Sequence, residues 1–411
     1  MSSKHRMTGN LVAGAGISGA VMARLCAETG EKVLVVDKKD HIAGNCYDYT
    51  DENGICVHKY GSHIFHTDNE RVWNFLKLFT DFNTYMHKVT ALIDGIETTV
   101  PFNLNTIHNV FPQSLAQRLE EKLLAKYEYN KKIPISEFQL QDDEDLKFLA
   151  KYVYEKVFEG YSTKQWGSIP DSSVTSRVPV YISRDNRYFQ DKYQGIPLGG
   201  YTKMIENILN HPNIDVQLET EAKEVLRHRG QSEVHHDGTR IFYTGSIDDF
   251  FDYKFGQLPY RSVNFKFETH STEFYQCNAV VNHPCSYDFT RIHEYKYYEM
   301  PEHEGQSGVQ HGAKTVIAKE YSEDFEPGRN ERYYPVAGKE SRSLYEKYLA
   351  ETEKLDNVYF LGRLGDYRYY DMDDAVERAI NLFADLRQKR KALAQPGAET
   401  LAANREKEAV K

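Results

Sequence analysis

The sequence predicts an α/β protein that combines a parallel βαβ unit, a helical segment and a mostly antiparallel sheet. Three observations lead to this fold class. A glycine-rich turn between an apolar strand and a helix opens the chain, helical patterns fill its middle, and short strands follow over about residues 216–289. A chain of 411 residues is long enough for two or three substructures around a sizeable core.

The first element is the βαβ unit. Asn10–Ala13 predicts a short strand, the glycine turn follows, and an alanine-rich stretch predicts a helix that closes at Gly30. Lys32–Val36 is an apolar, β-branched run that ends at Asp37, which is typical of a buried parallel strand.

Two helices are predicted in the middle of the chain. Ser114 to Gln117 resembles a capping box and leads into leucines at helical spacing. The second helix is predicted from about Asp142 to Phe158, because acidic residues open it and apolar residues follow one face. Together they predict a helical subdomain.

The last elements are a strand, a turn and a helix. Val358–Leu361 predicts the strand, Gly362 the turn, and Met372–Leu386 a helix with an apolar stripe. From Gln388 onward the chain is polar, which predicts a flexible tail.

Composition limits the class of protein and its partners. The net charge of −10 argues against non-specific binding to nucleic acid or an anionic membrane. Three glycines interrupt the apolar run Leu11–Ala23, which argues against a signal peptide, and no segment approaches the ~20 apolar residues of a membrane span. Five cysteines without a CxxC pair indicate reduced thiols, so we expect a soluble, cytoplasmic protein.

The glycine turn predicts a dinucleotide site. Gly14 makes the turn, Gly16 admits a pyrophosphate, Gly19 lets the helix pack on the sheet, and Asp37 accepts from ribose hydroxyls. A tight glycine turn without a ligand is the alternative. The glycine-containing loop Asp40–Asn45 directly after the second strand favours FAD, with NAD as the second candidate.

The motifs resemble those of a known family, the bacterial UDP-galactopyranose mutases, over roughly residues 8–390. The stretches that carry the resemblance are GAGISGAV (14–21), DHIAGNCYD (40–48), YGSHIFHT (60–67), GYSTKQWG (160–167), SRVPVY (176–181), LPYRSVNF (258–265), ERYYPV (331–336) and GRLGDYRYYDMD (362–373).

The resemblance implies a three-part architecture. A discontinuous, Rossmann-like FAD-binding domain would comprise residues 7–84, 198–243 and 335–390. A helical subdomain would cover 103–178, a twisted antiparallel sheet for the substrate would cover 85–102, 179–197 and 244–334, and 391–411 would be the tail.

The resemblance also implies an activity, the ring contraction of UDP-galactopyranose to UDP-galactofuranose without net redox change. FAD would act when reduced, its N5 attacking the anomeric carbon while UDP leaves. The partners implied are the UDP-sugar, an unidentified flavin reductant and a second copy of the chain in a homodimer.

The resemblance assigns two substrate-phosphate arginines, Arg177 and Arg261, which suit a diphosphate because a guanidinium presents a fork of donors. His63 would lie beside the flavin, either as a proton shuttle or through its backbone. The other substrate residues implied are Phe158, Tyr161 and Trp166 around uracil and sugar, Tyr188, Tyr334 and Tyr369 at the diphosphate, and Asp371 near the sugar or as a helix N-cap.

The resemblance and the fingerprint together give a set of cofactor-binding residues. They are Gly14, Ala15, Gly16, Ser18, Gly19, Asp37, Lys38, Gly44, Asn45, His63, Arg363, Tyr370, Asp371 and Met372. No metal is expected.

The chain departs from the family pattern in several places. Ser62, Ser246 and Ser322 stand where the family usually has proline, and serine should loosen the backbone there. The connection from Trp166 to Arg177 is also about three residues shorter than is usual for the family, in which it belongs to a hinge-and-lid element. Residues 169–183 would form this lid, which we expect to be ordered by ligand.

Three alternatives stay open on the sequence alone. The chain could act on another nucleotide sugar, N-acetylated or dTDP-linked. It could instead be a flavin oxidase or dehydrogenase, although paired phosphate arginines do not suit such a site. It could also be a flavoprotein that binds nucleotide sugars without turnover.

Overall fold

A computed structural model of the chain describes residues 9–167, 178–228, 239–285, 287–299 and 313–393. The strands in these ranges are β1 (Asn10–Ala13), β2 (Val33–Val36), β3 (Asp48–Thr50), β4 (Cys56–His58), β5 (Phe65–Thr67), β6 (Val89–Ile93), β7 (Ile96–Val100), β8 (Lys132–Pro134), β9 (Pro179–Tyr181), β10 (Tyr193–Gly195), β11 (Ile214–Gln217), β12 (Arg240–Tyr243), β13 (Tyr260–His270), β14 (Val280–Asn282), β15 (Arg291–Glu294), β16 (Thr315–Asp324), β17 (Tyr334–Pro335) and β18 (Val358–Phe360).

The helices in the same ranges are α1 (Ile17–Ala27), α2 (Glu70–Leu76), α3 (Leu104–Val110), α4 (Gln113–Lys126), α5 (Ile135–Gln139), α6 (Glu144–Val153), α7 (Gly160–Trp166), α8 (Gly200–Leu209), α9 (Ala222–His228), α10 (Ile247–Phe250), α11 (Lys339–Thr352), α12 (Gly362–Gly365) and α13 (Met372–Leu393). A π-helical turn covers Tyr154–Glu159, and 3₁₀ turns cover Gly44–Cys46 and Tyr295–Glu299. Within the described part of the chain, no helix combines the length and apolarity needed to cross a bilayer.

The chain divides into two compact units. Unit 1 comprises Met1–Gly44, Ile208–Phe251 and Leu349–Lys411, and unit 2 comprises Asn45–Asn207 and Asp252–Tyr348. Segments distant in the sequence therefore build each unit. The finer three-part boundaries given above stay a prediction.

Unit 1 is built on a five-stranded parallel sheet in the order β11-β2-β1-β12-β18. β1, β2 and β12 are buried along their whole length, as expected for the central strands of a parallel sheet covered on both faces. The predicted βαβ unit is confirmed, with the second strand beginning at Val33. The prediction of antiparallel pairing from about residue 216 is wrong for β11 and β12. β11 misleads because it is an edge strand with only Ile214 buried.

Unit 2 contains a seven-stranded sheet in the order β17-β13-β16-β15-β14-β6-β7. Its neighbouring strands are antiparallel except for β14 and β6, which run parallel. β13 and β16 pair along ten residues, from Arg261 opposite Asp324 to His270 opposite Thr315. This long antiparallel pair fixes the position of Arg261 relative to Ser322 and Asp324.

The helices predicted in the middle of the chain are present and share one apolar core. Its buried members include Leu104, Ile107, Leu119, Leu123, Phe138, Leu146, Leu149 and Val153. Ser114 does not cap a helix, because α4 already begins at Gln113 behind Pro112. The second helix also differs from the prediction: α6 ends at Val153 but continues through the π turn into α7, so Tyr161 and Trp166 lie on a helix and not after its end.

The carboxyl-terminal elements follow the prediction with two changes. β18 ends at Phe360, one residue early, and Gly362 turns the chain with a φ of +83°. α13 continues to Leu393, so the helix extends into the predicted tail. The last eighteen residues of that tail, 394–411, lie outside the described residues.

Candidate active site

The glycine turn of unit 1 is shaped by close approaches that exclude a side chain. A Cβ on Gly14, which has a φ of +115°, would overlap the Thr244 hydroxyl, and a Cβ on Gly19 would overlap the Gly14 carbonyl oxygen. Gly44 lies against Gly16, with a Cβ on Gly44 only 3.0 Å from the Gly16 Cα. The turn and the loop after β2 therefore lie together at the amino end of α1.

Asp37 joins the same corner of unit 1. Its Oδ2 accepts from the Ala15 backbone N–H at 2.7 Å, and its Oδ1 accepts from the Lys39 backbone N–H at 2.9 Å. Each carboxylate oxygen keeps a second lone pair that can accept from a ribose hydroxyl. Lys38 lies exposed beside this acid.

The segment after β18 lies against the glycine turn. A Cβ on Gly362 would stand 3.0 Å from the Ser18 hydroxyl oxygen, which places the late turn at the start of α1. Arg363 donates through Nη2 to the Tyr370 carbonyl at 2.6 Å and lies over the Tyr369 ring at 5.3 Å. Tyr369 and Tyr370 thus contact this arginine just before α13 begins at Met372.

Asp371 directly precedes α13. The Asp374 side chain accepts from the Asp371 backbone N–H at 3.2 Å, and the Asp371 carbonyl accepts from the Ala375 N–H at 3.1 Å. Asp371 is exposed and stands at the N-cap position, which is the second of the two roles predicted for it from the sequence.

In unit 2, His63 lies in a tightly held loop. Its backbone N–H donates to His58 Nδ1 at 3.1 Å, and its Nδ1 donates to the Gly61 carbonyl at 2.8 Å. Because a carbonyl can only accept, the His63 ring proton lies on Nδ1. Gly61 has a φ of +87°, and a Cβ there would stand 2.8 Å from the Phe265 ring.

Three buried or half-buried groups near this loop have metal-ligand chemistry. One ligand atom each of Asp48, Cys56 and His58 lies within 4.8 Å of the others. The Asp48 carboxylate, however, accepts from the backbone N–H groups of Tyr201 and Thr202 at 2.5 and 2.9 Å. Burial, Asp48 and Glu299 raise the pKa of the Cys56 thiol far above its usual value. We assign the group to support of the fold.

The predicted aromatic residues cluster in unit 2. Trp166 at the end of α7 and Tyr334 at the edge strand β17 have ring centroids 6.2 Å apart. Tyr161, one helical turn earlier, is an electrostatic neighbour of Tyr334 and Tyr188, and burial raises its pKa far above the usual value. Phe158 lies in the π turn that precedes α7, half-buried beside Tyr154.

Arg261 is the register partner of Tyr334 between β13 and β17, and its donors are directed at the protein. It is 4% exposed, and it donates through Nε to the Gln165 carbonyl at 2.9 Å and through Nη2 to the Lys164 carbonyl at 3.2 Å. Its remaining contacts are Asp324 at Nη1 and the Ser322 hydroxyl at Nη2, at 3.3 Å. The guanidinium therefore ties the carboxyl end of α7 to β16, and its role as a phosphate ligand stays a prediction.

Sequence reasoning missed Arg291. Its Nε donates to Glu320 Oε2 at 2.8 Å, whereas its two Nη nitrogens have no partner among the described residues, and the side chain is 26% exposed. Partial desolvation would lower its pKa, but Glu320 raises it well above the usual value. Tyr161 and Tyr334 are its electrostatic neighbours. The available signal was the alternation in β15, which puts Arg291 and His293 on one face of a buried strand.

Comparisons with known proteins bear on both units. The sequence profile of the UDP-galactopyranose mutase family matches residues 156–369, and that of the NAD(P)-binding Rossmann-like domain matches residues 12–79. A Klebsiella pneumoniae protein named Probable UDP-galactopyranose mutase is 39% identical over 378 residues, covering 90% of this chain and 92% of the relative. The chain belongs to the UDP-galactopyranose mutase family.

Two further comparisons concern a relative with a different named substrate and a solved structure with the same fold. The dTDP-fucopyranose mutase of Escherichia coli is also 39% identical, over 90% of this chain and 96% of its own. A crystal structure of reduced UDP-galactopyranose mutase superposes with a TM-score of 0.64 at 16% identity, covering 92% of this chain and 96% of that chain, which shows the common fold. The chain is thus an isomerase of the mutase type, and FAD is its cofactor.

The glycine cradle of this mutase fits FAD. Gly16 offers an open face, since the nearest atom to a Cβ there is the Gly44 Cα at 3.7 Å, and no side chain of the described residues caps the first turn of α1. The exposed N–H groups of that turn suit a pyrophosphate. Asp37 and Arg363 flank the same turn.

One predicted catalytic residue of the mutase cannot be placed. Arg177 and most of the predicted lid lie in residues 168–177, outside the described residues. The remaining part of that segment forms β9, which pairs antiparallel with β8.

Proposed function

We propose that this chain interconverts UDP-galactopyranose and UDP-galactofuranose with FAD in its reduced state. The observation that carries the proposal is the guanidinium of Arg291, held at one edge by Glu320 and open at its Nη edge beside Tyr161 and Tyr334. A fixed cation beside phenol hydroxyls suits the diphosphate of a nucleotide sugar.

When bound, reduced FAD would supply an electron-rich nitrogen as the nucleophile of the reaction. Unit 1 would hold this cofactor through the glycine turn 14–19, Gly44 and Asn45, with Asp37 at a ribose and Arg363 at a phosphate. Tyr370, Asp371 and Met372 would border the flavin at the start of α13, and His63 would border it from its loop.

The residues of unit 2 would stabilise the leaving group. Negative charge grows on the UDP diphosphate as the bond to the sugar breaks, so donors that are already oriented lower the barrier. Arg291 is oriented by Glu320, because the carboxylate holds Nε and leaves both Nη groups for phosphate oxygens. Tyr161 stays protonated because burial raises its pKa, so its hydroxyl can donate.

The aromatic rings would hold the base and the sugar. Trp166 and Tyr161 project from the same helix, α7, and offer flat faces of the kind on which uracil stacks. Phe158, Tyr188 and Tyr334 would border the ribose and the diphosphate. Arg177, Arg261, Tyr369 and Asp371 complete the set of substrate residues that the family pattern implies.

A second substrate, dTDP-fucopyranose, is favoured by a specific observation. The Escherichia coli dTDP-fucopyranose mutase is as similar to this chain as the Klebsiella protein, at 39% identity each. The two substrates differ in the sugar C6 hydroxyl, the ribose 2′-hydroxyl and the methyl group on the base. Both carry the diphosphate that Arg291 would bind.

We further propose a cytoplasmic homodimer that depends on a separate reductant to prime the flavin. Reduced thiols are expected of such a compartment, and none of the five cysteines, all of which lie in the described residues, forms a disulfide.

The test is to offer UDP-galactofuranose and dTDP-fucofuranose separately to the dithionite-reduced protein and to measure kcat/KM for each. We expect the UDP-sugar to be converted more efficiently, by at least tenfold, which is the discrimination of about 1.4 kcal/mol that one additional contact provides. A preference for the dTDP-sugar would replace the proposed substrate, and turnover of neither would reject the function.

A further inference from the structure

A chain of hydrogen bonds inside unit 2 joins the His63 loop to Arg291. It runs from the Tyr298 hydroxyl to the Ser62 hydroxyl, from Ser62 to His293 Nδ1 at 2.6 Å, and from His293 Nε2 to Glu320 Oε2 at 2.9 Å. Glu320 Oε2 also accepts from Arg291 Nε at 2.8 Å. Tyr298, His293 and Glu320 are each at most 2% exposed, so water does not compete for these bonds.

The protons in this series of hydrogen bonds have a single consistent arrangement. Burial alone would raise the pKa of Glu320, but Arg291 and His293 outweigh it and bring the pKa to about 2, so the carboxylate is ionised and accepts. His293 Nε2 must then carry the ring proton. Burial lowers the pKa of His293, so the ring is neutral and its Nδ1 accepts from Ser62. The Tyr298 hydroxyl donates to Ser62 in turn.

Ser62 is the link that joins the loop to this chain. It stands between Gly61, whose positive φ and contact with Phe265 fix the backbone, and His63, whose N–H is held by His58. The residue expected here from the family resemblance is proline, which stiffens a turn but has no hydroxyl. In this protein the turn is held by the hydrogen bonds of the Ser62 hydroxyl and not by a proline ring.

We propose that Ser62 is a positioning residue that couples the His63 loop to the substrate-binding guanidinium of Arg291 through His293 and Glu320. The Ser62 hydroxyl fixes the orientation of the His293 ring, His293 holds one oxygen of Glu320, and Glu320 orients the open edge of Arg291. The inference rests on the proposed function, in which Arg291 binds the diphosphate.

The test is a double-mutant cycle on UDP binding, measured by titration calorimetry on the FAD-loaded protein. The variants are S62A, R291K and the double variant. Lysine keeps a positive charge beside the buried Glu320 but cannot present a fork to phosphate. We expect S62A alone to raise the Kd for UDP roughly threefold to tenfold, the effect of one hydrogen bond. In the R291K background the same change should have less than a twofold effect.

The proposal is overturned if S62A binds UDP as the wild type does, or if its effect is equal in both backgrounds. S62T should restore the wild-type Kd because threonine retains the hydroxyl, while S62V, of the same shape, should not. If S62A does not fold, the difference in Kd between S62T and S62V tests the proposal instead. S262A is the matched control, since the Ser262 hydroxyl is buried without a partner among the described residues, and its Kd should not change.

The outcome also separates this inference from the proposed function. A wild-type protein that contains FAD but neither binds UDP nor converts UDP-galactofuranose would reject the function and the inference together. A wild type that binds and converts, with S62A unchanged, would reject the coupling alone.

Discussion

Two arginines of unit 2 differ in what their guanidinium donors face. Arg261 is buried and donates to the carbonyls at the end of α7, whereas Arg291 is held at Nε only and keeps both Nη nitrogens without a partner in the described part of the chain. A buried, satisfied guanidinium supports the fold, and an oriented, open one supports ligand binding.

This difference predicts opposite effects of lysine at the two positions. R291K should lower kcat for UDP-galactofuranose roughly a hundredfold to a thousandfold, as expected for loss of an oriented donor, with little change in unfolding. R261K should lower the free energy of unfolding by about 1–3 kcal/mol, because buried carbonyls lose their donors. Steady-state kinetics and urea unfolding of both variants check this, and the reverse pattern would contradict it.

The sequence identifies some site residues and not others, for a physical reason. The roles of Gly19 and Asp37 are local, since each depends on neighbours within one βαβ unit, and the structure shows Gly19 against the Gly14 carbonyl and Asp37 accepting from the Ala15 N–H. The roles of Arg261 and Arg291 depend on carbonyls and carboxylates far along the chain. No local pattern shows which arginine is already satisfied.

At the scale of elements, the π turn Tyr154–Glu159 is the feature that the sequence did not reveal. It joins α6 to α7 as one helical run and so sets the direction of the Tyr161 and Trp166 side chains. Periodicity alone indicated a helix that ends near Phe158, because the extra residue of a π turn breaks the 3.6-residue spacing. Gly160 begins α7 where a Cβ would overlap the Pro284 carbonyl oxygen.

G160A should therefore move α7 away from the loop at Pro284 and weaken the site carried by the helix. We expect a loss of about 1–3 kcal/mol in unfolding free energy, the cost of overpacking, together with weaker UDP binding. G338A is the control, because the nearest atom to its Cβ is the Ser341 hydroxyl oxygen at 3.6 Å. Equal stability of G160A and wild type would show that this contact does not fix α7.

The glycine turn before α1 gives a second prediction at this scale. A Cβ on Gly16 meets nothing closer in the protein than the Gly44 Cα at 3.7 Å, so G16A should fold with nearly wild-type stability as apoprotein. The methyl group would instead occupy the space assigned to the FAD pyrophosphate and should weaken FAD binding at least tenfold. Flavin titration of apoprotein measures this, and unchanged FAD affinity would place the cofactor elsewhere.

For the whole molecule, buried neutral histidines make stability depend on pH. Burial lowers the pKa of His58 and of His87 to about 3 and that of His283 to about 4. In the unfolded chain their pKa is about 6.5, so the unfolded state binds more protons below that pH. Their contribution to stability is complete above about pH 6.5 and is lost as pH falls towards 4.

Below about pH 6.5 the predicted slope approaches about 1.4 kcal/mol per pH unit for each such histidine. The urea concentration at the unfolding midpoint should therefore fall as the pH decreases from 7.5 to 5.5. The variant H87Q should show a weaker pH dependence of stability, by the contribution of about one histidine. Midpoints that stay constant over this range would show that these rings are protonated, and hence hydrated, in the folded protein.

The central claim is that reduced FAD and the Arg291 site together isomerise a nucleotide sugar without net oxidation. The most direct measurement is conversion of UDP-galactofuranose to UDP-galactopyranose by the same purified protein in the oxidised and the dithionite-reduced state, read by anion-exchange chromatography. We predict multiple turnovers in the reduced sample only, with the flavin still reduced at the end. Equal conversion by the oxidised sample, or one product molecule per flavin oxidised, would contradict the account.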